Sequence, residues 1–530
     1  MQSDHHPSQH CFLTTVYLML KTQSQRVFLS ISLVIASAAL ALPAQGAPQQ
    51  SQNADAASNA EIMLTSEQAK RDTQVLARVM TSLHPALTKY RTQAEIDAAI
   101  RHFEQRGQAA RSLGEMYLAA TELAAAVRCG HTWTNILNQQ KAVQTLLLES
   151  ENKLPIKVRL VDTRWLVLAS ADAQVRAGDE ILAMNGYEAT AIVEKIRPYL
   201  RADGSSDGKR LVQLNHDRFD YSQMDIVWPL LAPPQNGRYV LALRRVNGEL
   251  DTVTVAATTL AKRQAALVAQ GIVEKSATWS FHIERNVGFL RLPNFAFWNS
   301  KFDWAGFLEK SFAELNAKRV PHLIIDIRDN EGGSGEIGAK LLSYLLKRPF
   351  QTVTDQSVSA YERVPYALVR YLDTWDFSFF DRTGQLERIT QGPNAGKYSF
   401  KPNAAKQLTI DPVAPSSRGY QGQAYLLVGP ENSSATFILA DLAQKSRAAI
   451  LVGQPTGGNQ RGLNGGQLLW VNLPNSGVGV DIPLLASTYA LTTPDQSVTP
   501  DVVVKRDFEQ SRAGLDQEVQ AVLSLIRQSK

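Results

Sequence analysis

The sequence predicts an α/β multidomain protein. An N-terminal helical region is followed by a β domain and then by a core on a mainly parallel sheet. Three observations carry this. Apolar residues recur at helical spacing from 62 to about 128. From 154 to about 258 they alternate with polar residues, as in half-buried strands. From about 278, short apolar runs alternate with amphipathic stretches, which implies crossover connections on a parallel sheet.

The first 61 residues read as an address and a leader. Val27 to Leu42 is an uncharged, mostly apolar run, preceded by Lys21 and Arg26 and followed by Leu42-Pro43-Ala44-Gln45-Gly46-Ala47. That order is a secretory signal over 1–47, with cleavage from Ala44 to Ala47. Met19 as the start would give a compact signal. An uncleaved anchor helix is the other reading, although the run is short for a span of ~20 residues. Residues 48–61 are rich in Gln, Ser, Ala and Asn and read as a flexible leader. The expectation is an exported protein, periplasmic or extracellular, with no stable membrane span after cleavage.

Composition then limits the partners. The 530 residues are 44% hydrophobic and 20% charged, an ordinary globular balance that excludes collagen-like or mostly disordered chains. The net charge of +5 is a small difference between 55 basic and 50 acidic groups. Losing Lys21, Arg26 and Asp4 with the signal leaves 53 and 49. No dense Lys/Arg run supports a nucleic-acid partner. Cys11 leaves with the signal, so Cys129 stands alone and no internal disulfide can form.

In the helical region, expected over 62–150, Thr65-Ser66-Glu67-Gln68 is a capping-box pattern, and His84-Pro85 ends the first helix. Ala94–Gln105 and Leu113–Val127 follow. In the β domain, expected over 151–260, Asn247-Gly248 is expected to supply the positive φ angles of a hairpin between Tyr239–Arg245 and Thr252–Ala257. A polar insertion, Ala202–Arg218, precedes that hairpin. The core, expected over 278–510, reads as strand Val287–Leu292, helix Trp304–Ala317, strand His322–Ile327 and helix Gly335–Leu346. Strand Ala424–Val428, helix Ser434–Gln444 and strand Ala449–Val452 complete it. An aromatic- and Pro-containing insertion, 355–421, interrupts the alternation, and a C-terminal helix is expected over 511–530.

Three joints could carry chemistry. In Ile324–Ser334 a buried strand runs into Gly332-Gly333, whose N–H groups suit an oxyanion; a tight turn is the plainer use. Tyr425–Phe437 places Ser433-Ser434-Ala435 on a strand-turn-helix joint. There a Ser is either a nucleophile beside free N–H groups or only an N-cap. In Arg128–Thr134, His131 follows a Gly turn, and composition alone does not single it out from five other histidines of the mature chain. No His-Glu-x-x-His motif, Cys pair, phosphate loop or G-x-S-x-G elbow occurs, and no metal or other cofactor is expected.

Together these joints resemble the tail-specific, C-terminal-processing serine peptidases of family S41. Ile324–Gly333 looks like that family's oxyanion segment and Asn432–Phe437 like its S-A-x-E nucleophile turn. Leu451–Gly458 looks like its G-x-x-T-x-G segment, and Ser497–Val502 like its closing G-V-x-P-D motif. Gly178–Gly186 is similar to the G-D-x-I-L-x-x-N-G stretch of a PDZ domain. Two positions depart from the pattern. Asn459 stands where Ser-Lys members carry Lys, and Phe437 stands where S-A-x-E has its acid. Gly130-His131-Thr132 is like the G-H-T setting of the Lys-free, tricorn-like branch.

The resemblance implies a PDZ-like β domain and a crotonase-like or ClpP-like core. It implies an exported serine-type endopeptidase acting on proteins or peptides by acyl transfer. Ser434 is the implied nucleophile and His131 the base. Ala435 N–H and a Gly332 or Gly333 N–H are the implied oxyanion donors. Asp495 is a candidate acid for orienting His131, with Asp329 and Glu331 as further ones. The missing Lys and Glu leave open a non-catalytic peptide- or ligand-binding relative. A third reading makes Cys129 a nucleophile with His131.

Overall fold

The computed structural model describes residues 62–217, 220–272, 278–350, 356–405 and 412–528. The signal and leader expected over 1–61 lie outside them. Three helices open the described chain: α1 (Ser66–Leu83), α2 (Gln93–Ala109) and α3 (Leu113–Ala126). The expected capping box is present: Thr65 accepts from Gln68 N–H and the Gln68 side chain accepts from Thr65 N–H. His84 ends α1 in an extended conformation, as the following Pro requires.

Next come β1 (Ile156–Val161), β2 (Arg164–Ser170), β3 (Glu180–Met184), β4 (Tyr187–Glu188), β5 (Arg238–Arg244) and β6 (Leu250–Ala256). They form an antiparallel sheet in the order β1-β2-β3-β5-β6, with β4 on β3. The expected hairpin is β5–β6, but its turn differs. Arg244 pairs with Leu250, so five residues connect the strands, and only Gly248 takes a positive φ, +89°. Within that connection Arg245 N–H bonds Glu249 C=O and Gly248 N–H bonds Arg245 C=O, so the turn is Val246-Asn247-Gly248, one residue longer than a two-residue Asn-Gly loop.

The core sheet contains β7 (Ser280–Glu284), β8 (Val287–Arg291), β9 (His322–Asp326), β10 (Gln423–Val428), β11 (Ile450–Gly453) and β12 (Val502–Val503). Its order is β12-β11-β10-β9-β8-β7, and every pair except β7–β8 is parallel. Alternate residues of β9 face opposite sides. Leu323 and Ile325 join a cluster with helices Trp304–Ala317, Gly335–Leu345 and Ser434–Lys445. Ile324 joins Tyr425 and Leu427 against Val522 and Ile526 of helix Gln517–Gln528. Both faces are therefore covered, which is why these strands read as continuous apolar runs. The chain beyond 507 is two helices, Phe508–Arg512 and Gln517–Gln528, where a single one was expected over 511–530; Gly514, at φ +74°, breaks it. Within the described part of the 355–421 insertion the chain forms short strands and turns.

Helix Leu260–Ala269 returns to the β domain and is held there by a buried ion pair. Arg263 donates through both terminal nitrogens to Asp225, each bond 2.8 Å, and also bonds the carbonyls of Leu154 and Ile156. Asp225 also meets His216 Nε2 at 2.7 Å. Arg263→Met leaves Asp225 buried without its main cation. The expected loss is about 3–5 kcal/mol of unfolding free energy, read by urea denaturation.

Candidate active site

Parallel pairing of β9 with β10 sets two of the three joints side by side at the carboxyl end of the sheet. Two fully buried amides fix them. Asn432 Nδ2 donates to the carbonyls of Ile327 (2.5 Å) and Asn330 (3.0 Å), and its Oδ1 accepts from Gly429 N–H. The Asn432 carbonyl accepts from Gly457 and Gly458 N–H. Asn330 Nδ2 donates to Leu292 C=O while its Oδ1 accepts from Gly332 N–H at 2.9 Å. Thr436 Oγ1 adds a bond to Asn330 C=O. The backbone groups these side chains serve lie at the strand ends or in the turns that follow, where the ladder runs out.

Within this frame Ser434 opens the helix Ser434–Lys445 with φ +52°, a conformation that non-Gly residues adopt at a cost. Ser433 is the N-cap by position, yet its side chain does not cap; its Oγ donates to Glu331 C=O. Gly332 and Gly333 take φ +119° and +136°. A Cβ on Gly332 would stand 2.9 Å from Ser434 Cβ and 3.0 Å from Ala435 N, so the glycine permits the close approach. Gly332 N–H is engaged by Asn330. Among the described residues Gly333 N–H and Ala435 N–H make no hydrogen bond, so both are open as donors.

His131 lies on the loop after α3. Arg128 turns that loop at φ +58°, and Trp133 fastens its far side by paired backbone bonds to Asp481. Burial lowers the His131 pKa, with Asp203 opposing. One face of the ring packs on Gly465, and Nδ1 is buried with no hydrogen-bond partner. None of the three expected acids bonds the ring. Asp495 Oδ1 accepts from Ser205 N–H and Asn459 Nδ2, Asp329 pairs with Arg291, and Glu331 pairs with Arg201 and Lys209. The carboxylate with the largest electrostatic effect on His131 is Asp203, whose Oδ1 also accepts from Gly130 N–H at 2.9 Å.

The departures from the motif have structural roles. Asn459 is fully buried and occupied by Asp495 and by Arg461 N–H. Phe437 packs where a Cβ on Gly458 would stand, 2.3 Å from its ring. A buried lysine is nevertheless near: Lys209 lies against Gly457, where it pairs with both Glu331 and Glu431. Sequence reading missed Lys209, Arg201 and Asp203 because they come from the polar insertion and its approach, far away in the chain. Cys129 is buried, its thiol pKa is raised by that burial, and Asn464 donates to its sulfur; the geometry gives it no nucleophilic role.

Residues 286–504 match the model of peptidase family S41. This segment belongs to peptidase family S41. The S41 segment begins at the edge of β8 and ends at β12, so it contains both glycine and serine turns but not His131. It is a family of serine peptidases, and that is the enzyme class of the chain. Mature CPAF complexed with lactacystin shares the fold at a TM-score of 0.59 and 16% identity, over 87% of this chain and 98% of that one. A serine-to-alanine mutant of CPAF gives 0.58 and 15%, over 84% and 94%. No curated protein matches the chain. Among the described residues no helix is long and apolar enough to cross a membrane.

Two measurements probe this frame. Asn432→Ala unpairs the buried Gly429 N–H and leaves the carbonyls of Ile327 and Asn330 with one donor fewer, Asn330 N–H and Thr436 Oγ1 remaining; the expected cost is about 1–3 kcal/mol for the unpaired group, read by chemical denaturation. His84 links α1 to the histidine loop: its Nδ1 accepts from Ala86 N–H and its Nε2 meets Thr132 Oγ1 at 2.8 Å. Burial pushes its pKa down to about 3. An unfolded imidazole protonates near 6.5. The stability carried by neutral His84 is therefore complete above about pH 6.5 and is lost as the pH falls toward 3. Melting temperatures from pH 7 to 4 are expected to drop more steeply for the wild type than for His84→Gln.

Proposed function

We propose that the chain is an exported serine endopeptidase of the Lys-free, tricorn-like branch, with Ser434 as nucleophile and His131 as general base. The observation that carries this is Ser434 itself: a serine at φ +52°, against Gly332, beside the unbonded N–H groups of Gly333 and Ala435. Strain of this kind persists where the surroundings enforce it and clusters at functional sites. Export rests on the signal order of residues 1–47; N-terminal sequencing of secreted or periplasmic material tests it.

In the reaction, Ser434 Oγ attacks the carbonyl carbon of a peptide bond while its proton passes to His131. The oxyanion forms between Gly333 N–H and Ala435 N–H, the second of which also has the positive end of the helix behind it. His131 then gives the proton to the leaving amine as the C–N bond breaks. Water, deprotonated by His131, hydrolyses the acyl ester and restores Ser434. Burial keeps His131 neutral at neutral pH, the state a base needs, and its pKa lies below the ordinary 6.5. The β domain in a PDZ-like role would present a peptide end to this centre by strand addition.

Ser434→Ala is expected to abolish cleavage of an unfolded protein substrate and labelling by a fluorophosphonate probe, with an unchanged melting temperature. Hydrolysis at the wild-type rate in that variant overturns the assignment of Ser434. Gly332→Ala forces a methyl group against Ser434 and Ala435. It is expected to lower kcat by about 100-fold, the scale of a misplacement of ~1 Å.

A further inference from the structure

The segment from Arg201 to Arg210 grips every part of the proposed centre. Arg201 Nη1 donates to Gly130 C=O, the residue before His131, and its Nη2 meets Glu331 Oε1 at 2.6 Å. Its guanidinium stacks on Trp133 at 3.9 Å, so it touches the histidine loop on both sides of His131. Gly204 N–H donates to Arg128 C=O in the same loop. Ser206 Oγ donates to Gly458 C=O. Lys209 Nζ bonds Glu331 Oε1 at 2.9 Å and Glu431 Oε2 at 2.6 Å. Glu331 immediately precedes the Gly-Gly turn, and Glu431 precedes the Asn432-Ser433-Ser434 turn.

We propose that Arg201, Glu331 and Lys209 are positioning residues: a charged clasp, its two cations from the β domain and its carboxylate from the glycine turn, that fixes the His131 loop against the turns carrying Gly333 and Ser434. This rests on the reading of Ser434 and His131 as nucleophile and base. One carboxylate holds two cations, and both cations are largely out of water: the Lys209 side chain is 2% exposed and the Arg201 side chain 12%. Such charges hold their geometry because losing one partner leaves the other uncompensated. Arg201 makes the link directional, since a fork with one nitrogen on a backbone carbonyl and one on a carboxylate cannot be matched by the point charge of Lys. No hydrogen bond reaches His131 Nδ1, so the loop, rather than an acid on the ring, sets where the ring stands.

The clasp also sets the charge around the base. The groups acting on His131 are Asp203 and Glu331, which favour its cation, and Arg201 and Lys209, which oppose it. Gly465, packed on the ring from the opposite loop, brings no charge.

The experiment uses the full mature chain, with fluorescein-labelled denatured casein as substrate and pH profiles of kcat/KM. Arg201→Lys keeps the charge and loses the two-handed grip. It is expected to lower kcat on the order of 100-fold, with KM little changed and the acid limb unmoved. Glu331→Gln is expected to move the acid limb to lower pH, and Lys209→Met to move it to higher pH. A merely structural role would not displace the limb in opposite directions. Should Lys209→Met fail to fold, Arg201→Lys and Glu331→Gln decide. Wild-type kcat in folded Arg201→Lys, or an acid limb unmoved in Glu331→Gln, overturns the clasp while Ser434→Ala is inactive. Wild-type cleavage by Ser434→Ala instead shows that the underlying site reading has failed.

Discussion

Two buried asparagines carry the constraint on which the rest of the structure depends. Asn432 and Asn330 complete the hydrogen bonding of backbone groups that parallel strands abandon at their carboxyl ends. A parallel ladder leaves such groups unpaired once the strands turn away, and in a core covered on both faces water cannot replace the missing partner. The amides do so, and in doing it they join the glycine turn to the serine turn. The approach of Gly332 to Ser434 and Ala435 is a consequence of that joining. The positive φ of Ser434 is tolerated because the turn before it has no freedom to relax.

The helical region and the β domain are organised around this fixed edge. Their shared apolar cluster extends into strands Leu468–Asn472 and Gly479–Pro483, which belong to the chain after the serine turn. The loop after α3 is therefore tied down from several directions: by Asp481 at Trp133, by His84 at Thr132, and by Arg201 and Asp203 at Gly130. None of these contacts is strong alone. Together they remove the freedom of a loop whose ring nitrogen Nδ1 has no bond of its own.

Much of the fold was legible in the residues. The Trp304–Ala317 helix, the four strands β8 to β11 of the core and the Thr65 capping box follow from period, cap and turn signals that act over a few residues. Where local signals compete with a longer-range fit, legibility fails. Asn247-Gly248 has the composition of a tight two-residue turn, yet strand register places five residues in the loop. Residues 511–530 have helical character, yet Gly514 divides them so that Arg328 can pair with both Asp516 and Glu518. Among the site residues, Ser434 and the two glycines stand on turns with a recognisable order. Arg201, Asp203 and Lys209 stand in a polar stretch with no pattern, and only folding gives them partners.

The sequence by itself determined the local elements, the S41 core and the pair of turns around Ser434, because each of these depends on neighbours a few residues away. The tertiary structure alone decided which glycine N–H stays open, since Asn330 takes that of Gly332. It alone decided that Asp495 binds Ser205 and Asn459 instead of His131. It also brought a lysine from the β domain beside the sheet and paired it with two glutamates. The reason is the same each time. A hydrogen bond or ion pair across hundreds of residues depends on how the surrounding elements pack, and no spacing within one segment encodes it.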